Sequence, residues 1–155
     1  YMTLHRVEFV LSNRLRERLA LQIMYLVGYN HYHERPPWTL DGFVEYLDLP
    51  GEPVHRMIQV LINAGYLAEI INDDSPVYLP VHDTETILLD DLITDIRSAQ
   101  ETRYLSMQQL VPVQAVDDLM AELAVSRQQT LGGRTLRGLV QDSNSAVEVV
   151  PASQE

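Results

Sequence analysis

Residues 49–67, LPGEPVHRMIQVLINAGYL, decide the fold. Val54, Ile58 and Leu61 recur at spacings of four and three, one apolar stripe of a helix. Pro53 suits a first helical turn, where its missing N–H is not needed. Gly65 suits the left-handed residue that ends a helix and reverses the chain. The spacing predicts a helix from Pro53 to Ala64, entered through a turn at Asp48 to Gly51. That is the rhythm of the second half of a helix-turn-helix, whose second helix ordinarily lies in the DNA major groove. Its outward positions read as His55, Arg56, Gln59, Val60, Ile62 and Asn63. Arg56 is its single arginine, and Glu52 stands at its entrance.

The flanks supply the rest of the scaffold. Upstream, Leu11, Leu15, Leu19, Ile23, Leu26 and Val27 predict a helix from Ser12 to His31. Leu21, Met24 and Tyr25 widen its stripe, so it is covered on more than one side. Pro36 and Pro37 end it. Thr39 is placed as an N-cap for a short helix with Leu40, Phe43, Val44 and Leu47 on one face. Downstream, Tyr66 to Ile71 reads as a strand, Asn72 to Ser75 as a turn and Val77 to Val81 as the returning strand. The fold class is mainly α with a small β-hairpin (α+β), a winged helix-turn-helix with a C-terminal helical extension. A further helix begins near Thr86 and turns Leu89, Leu92, Ile93 and Ile96 inward. Another runs from Gln114 to Gln128 with Val116, Leu119, Met120 and Leu123 inward. Gly132 and Gly133 break it before a last short helix, Thr135 to Val140. Three parts follow: the winged helix over residues 1–100, a helical extension over 101–140 that packs on it or on a partner, and a disordered tail over 141–155.

Composition bears on the partner. The chain has 155 residues, no cysteine and a formal net charge of −11. Without cysteine there are no disulfides, thiolate metal sites or thiol nucleophile. Every cation other than histidine is an arginine. A DNA-binding domain ordinarily carries positive charge, because affinity comes largely from neutralising phosphates. Here Thr39 to Pro80 holds Arg56 against Asp41, Glu45, Asp48, Glu52, Glu69, Asp73 and Asp74, and the wing tip is NDDS. Apolar Val60 and Ile62 on an acidic face point to a protein contact or self-association through Arg56, Gln59, Val60, Ile62 and Asn63.

The start is the basic part. Arg6, Arg14, Arg16 and Arg18 stand against Glu8 and Glu17. Such a segment fits a position just cytoplasmic of a membrane helix, and the first residue, Tyr1, fits a piece of a longer polypeptide. No run in the chain spans a membrane. The most apolar, Leu19 to Tyr29, is 11 residues long, where a span needs about 20.

Sites for chemistry are scarce. HYHER, His31 to Arg35, places two histidines at a helix end, where residues two apart diverge in direction. No phosphate loop, nucleophile elbow, dinucleotide fingerprint or EF-hand occurs. The reading is a non-enzyme without metal or cofactor.

The order of pieces resembles a known arrangement. RERLALQIMYLV, PPWTLDGFVEYLDLP, VHRMIQVLINAGYLAEI, VYLPV and TILLDDLITDIR, closed by VDDLMAELAVSRQQTLGGRTLRGLV, resemble the cytoplasmic C-terminal extension of YihY/BrkB-type bacterial inner-membrane proteins. That family long carried the label ribonuclease BN. The resemblance covers residues 11 to 140. It implies a non-catalytic interaction or regulatory domain on the cytoplasmic side of the inner membrane, with a transmembrane segment upstream. YLPV followed by TILLDDLITDIR is also similar to Rrf2-type transcription regulators, which implies a DNA-binding winged helix as the alternative. Rrf2-type regulators that hold an iron–sulfur cluster use cysteines, and this chain has none.

Overall fold

The computed structural model describes residues 11–99 and 110–141. The described residues form α1 (Asn13–Tyr32), α2 (Leu40–Leu47), α3 (Gly51–Asn63), β1 (Leu67–Asn72), β2 (Ser75–Pro80), α4 (Leu89–Ser98), α5 (Gln114–Leu131) and α6 (Leu136–Gln141). The architecture is a winged helix with a helical extension, as the spacing predicts. The tail expected to be disordered lies outside the described residues from 142 onward, as does Arg6.

α1 is the spine. Ser12 caps it by accepting from the Leu15 N–H at 3.3 Å. Leu19, Ala20, Ile23, Met24, Leu26 and Val27 are buried, so the widened stripe is covered on more than one side. Leu15 is the exception and stays exposed. The linker after α1 is pinned rather than loose. Asn30, itself buried, donates through Nδ2 to the Pro36 carbonyl at 2.9 Å. Trp38 is fully buried, and its indole N–H reaches the Leu26 carbonyl at 2.9 Å. It stacks on Phe43 with ring centroids 5.1 Å apart, and its backbone carbonyl accepts from the Tyr78 N–H, attaching this linker to the wing.

Thr39 caps α2 by accepting from the Gly42 N–H at 3.0 Å. Asp48 closes α2 in the left-handed region, φ 53°. α3 starts at Gly51, earlier than the sequence predicts, with Pro53 still inside the first turn. Its far end is a Schellman motif: the Tyr66 N–H bonds the Leu61 carbonyl at 2.9 Å and the Gly65 N–H bonds that of Ile62 at 3.0 Å, with Gly65 at φ 88°. β1 and β2 pair antiparallel from Leu67↔Pro80 to Asn72↔Ser75. The connecting pair Asp73 and Asp74 both have positive φ, 50° and 67°, the signature of a type I′ hairpin.

The extension divides in two. α4 begins at Leu89 rather than near Thr86, because Asp83 folds the preceding residues into a turn: its carboxylate accepts from the Glu85 N–H at 2.9 Å and its carbonyl from the Thr86 N–H at 2.9 Å. α6 packs on α1, with buried Leu136 and Val140 seated over Gly28. α5 behaves differently. Val116, Leu119, Met120 and Leu123 share one face, as the spacing predicts, but they do not point inward. All four are at least half exposed, and α5 buries no residue. Its side-chain anchor to the core is Arg127, which pairs with Asp90 of α4 at 2.7 Å.

Candidate functional site

α3 has one sealed side and one open side. Pro53, Val54, Met57, Ile58 and Leu61 are buried, while Glu52, His55, Arg56 and Asn63 are exposed and Gln59 is half-buried. Arg56 forms an ion pair with Glu52 one turn back along the helix. The Gln59 amide and the His55 ring are in contact at 3.5 Å. The open face thus offers a guanidinium, an amide and an imidazole within two turns, all groups that read base edges or hold phosphates.

Two residues expected on that face belong elsewhere. Val60 and Ile62 are half-buried and pack against the core. Val60 lies between the start of α1, with Leu11 and Arg16, and the end of α4, with Asp95 and Ala99. Exposed apolar residues occur instead on the hairpin, at Ile70 and Ile71 of β1, 45% and 65% exposed. What remains of the predicted face is therefore exposed Arg56 and Asn63 with half-buried Gln59, and it is polar.

The hairpin beside α3 is acidic at its tip, with Asp73 and Asp74 exposed. Its base is fixed by phenols. The Tyr78 hydroxyl donates to the Glu69 carboxylate at 3.0 Å. Burial first, and then that carboxylate, push the phenol up to about 12. The Tyr66 hydroxyl donates to Asp95 of α4, and its own pKa is raised for the same reasons, burial leading.

Of the basic segment, Arg14 and Arg18 are exposed and Arg16 is half-buried. His31 and His33 are both exposed, and His33 lies against the Tyr29 ring with centroids 4.2 Å apart. Among the described residues no group of three or more His, Asp or Glu side chains is placed to hold a metal. Sequence reasoning missed the Tyr66–Asp95 link and the convergence of Arg16 with α3 and α4. Both join residues distant in the chain and leave no local pattern.

No protein-family model and no curated protein sequence matches the chain. Solved structures do. The chain is similar to CymR, the global cysteine regulator of B. subtilis, with a TM-score of 0.64 and 17% identity over 88% of this chain and 100% of that one. It is similar to IscR of T. potens, with a TM-score of 0.61 and 17% identity over 92% of this chain and 90% of that one. It is also similar to the oxidized form of Staphylococcus aureus CymR, with a TM-score of 0.62 and 17% identity over 87% of this chain and 100% of that one. At this identity the shared property is the fold, a winged helix of mixed α and β structure.

These neighbours correct one expectation from sequence. The YihY/BrkB reading, with its ribonuclease BN label and cytoplasmic membrane-domain role, finds no counterpart, whereas the CymR and IscR structures match nearly end to end. The two readings share one winged-helix pattern, so the motifs quoted for the first serve the second equally. The basic start, taken as membrane-proximal, is in its described part the capped first turns of α1, packed beside α3. No helix among the described residues is long and apolar enough to cross a membrane.

Proposed function

We propose that this chain is a DNA-binding transcription regulator of the Rrf2 type that acts as a homodimer and has no catalytic role. The observation that carries the reading is the exposed face of α3. His55, Arg56 and Gln59 project from a helix whose opposite side is buried, beside a protruding hairpin, in a fold matched nearly end to end by regulators. Arg56 and Gln59 are the residue types that pair with guanine and adenine edges in the major groove.

The acidic charge changes the form of the interaction rather than its class. With Asp73 and Asp74 at the wing tip, the hairpin is repelled by phosphate and contributes little non-specific affinity. Specificity then rests on α3 and on engaging two half-sites at once. α5 supports the dimer. A helix of 18 residues without one fully buried side chain takes little of the stability that helices draw from packing an apolar face. Val116, Leu119, Met120 and Leu123 supply such a face, and a second copy related by a two-fold axis presents the identical stripe to it.

The test is selection of DNA from a random duplex pool by the purified chain, followed by anisotropy titration of the enriched sequence at several salt concentrations. The expected result is an enriched, two-fold symmetric site whose binding weakens with salt and falls about tenfold or more in Arg56→Ala. An unenriched pool at low salt overturns the reading.

A further inference from the structure

Among the described arginines, Arg16 is set apart by a side-chain nitrogen buried without a partner. Arg97 pairs with Glu17, Arg127 with Asp90, and Arg137 with Asp83 and Glu85. Arg14 and Arg16, in the first two turns of α1, have no carboxylate partner among the described residues. Nη2 of Arg16 is shielded from solvent and makes no hydrogen bond. A charged donor buried without an acceptor is costly, so a side-chain rotation that carries the Arg16 guanidinium to an acceptor in the cleft it lines is favoured.

Both arginines border a cleft of about 800 Å³ between the start of α1, the second half of α4 and the middle of α5. This is within the usual range for small-molecule sites. Arg97 and Arg127 also line it, with their charges offset by Glu17 and Asp90. Among the described residues, Arg14 and Arg16 therefore leave two positive charges uncompensated. Ile96 and Met120 give the cleft an apolar wall, which suits a carbon skeleton better than a bare ion.

We propose that this cleft binds a small organic dianion, a phosphate monoester or a dicarboxylate, through the guanidiniums of Arg14 and Arg16. A planar guanidinium holds either group with two parallel hydrogen bonds. The ligand bridges α1, which carries the helix-turn-helix, to α4 and α5, so its occupancy fixes the angle at which α5 leaves the core. The site stands whether or not α3 reads DNA.

Isothermal titration of the purified chain in low-salt buffer tests it, with phenyl phosphate, succinate and acetate as separate probes. Binding of one or both dianions at millimolar concentration or tighter, with acetate silent, is expected. Phenyl phosphate alone identifies a phosphate site and succinate alone a dicarboxylate site. Arg14→Gln and Arg16→Gln should each weaken binding about tenfold or more, while Arg134→Gln, remote from the cleft, leaves it unchanged. Arg14 is exposed, so its variant keeps the test decisive if loss of Arg16 disturbs folding. No binding of either dianion, acetate binding as well as they do, or equal weakening by Arg134→Gln overturns the proposal.

Discussion

The Tyr66 hydroxyl donates a hydrogen bond to the Asp95 carboxylate, joining the end of α3 to α4 across 29 positions of sequence. Tyr66 is also the residue whose N–H closes the Schellman motif of α3. One side chain thus ties the stop of the candidate reading helix to the helix on which α5 is anchored. A hydrogen bond to a charged group contributes about 1.5–3 kcal/mol. Tyr66→Phe is expected to lower stability by about that amount in urea denaturation, with the slope of the transition unchanged. Asp95→Asn in the Tyr66→Phe background should cost much less than in the native chain, because the two residues share one interaction. Additive losses would show that the pair is not coupled.

Alkali should expose the same device. The Tyr78 phenol is held at about 12 in the fold against 10.0 ordinarily, and that of Tyr66 is raised as well. A folded-state value above the unfolded one means that the native state keeps the proton longer. The stabilisation is then complete below pH about 10 and is lost as pH rises toward about 12. Ultraviolet absorbance of ionised tyrosine should show two late-titrating phenols whose ionisation coincides with loss of helical circular dichroism. Tyr78→Phe should remove one of them. Titration of every tyrosine near its ordinary value in the intact fold would contradict the burial of these two.

Close packing of α6 on α1 gives a third expectation. A methyl group at Gly28 would sit 3.2–3.3 Å from Leu136 and 3.4 Å from Val140. The Leu136 contact is tighter than ordinary, so that buried side chain must give by a few tenths of an ångström to admit it. Gly28→Ala is expected to cost about 1–3 kcal/mol despite the better helix propensity of alanine. Thermal unfolding measures the loss, and a variant as stable as the parent would mean that α6 is not seated there.

Local features of the fold were legible in the sequence. Thr39, Pro53 and Gly65 act within a few residues of their own positions, and each does what its residue type suggests. What covers a helical stripe was not legible. Spacing says which residues share a face but not what lies against it. Val60 and Ile62 therefore read as outward and are half-buried, while Leu119 and Met120 read as inward and are exposed. Trp38 carried no periodic signal, yet it organises the join of α1, α2 and the wing, because its partner Leu26 lies 12 residues away. The candidate reading face was half legible: Arg56, Gln59 and Asn63 follow from helix geometry, and the apolar pair beside them does not.

The exposed stripe of α5 separates a role in assembly from a role in folding. Leu119 is 54% exposed and Met120 50%, and neither belongs to the core. Replacing Leu119 with glutamate puts a charge at the centre of the stripe. In a dimer packed through this face, two such charges meet across the two-fold axis and are desolvated together, which costs several kcal/mol. The fold of each protomer loses little, since Leu119 is more than half exposed and lies outside the core. Sedimentation equilibrium should therefore find Leu119→Glu monomeric at concentrations where the parent is dimeric, with the wing and α1 to α4 intact by circular dichroism. DNA affinity should fall with it, because a monomer engages a single half-site and loses the advantage of simultaneous binding. A variant that remains dimeric would place the interface elsewhere. One that unfolds would mean that α5 packs on its own chain more closely than its exposure indicates.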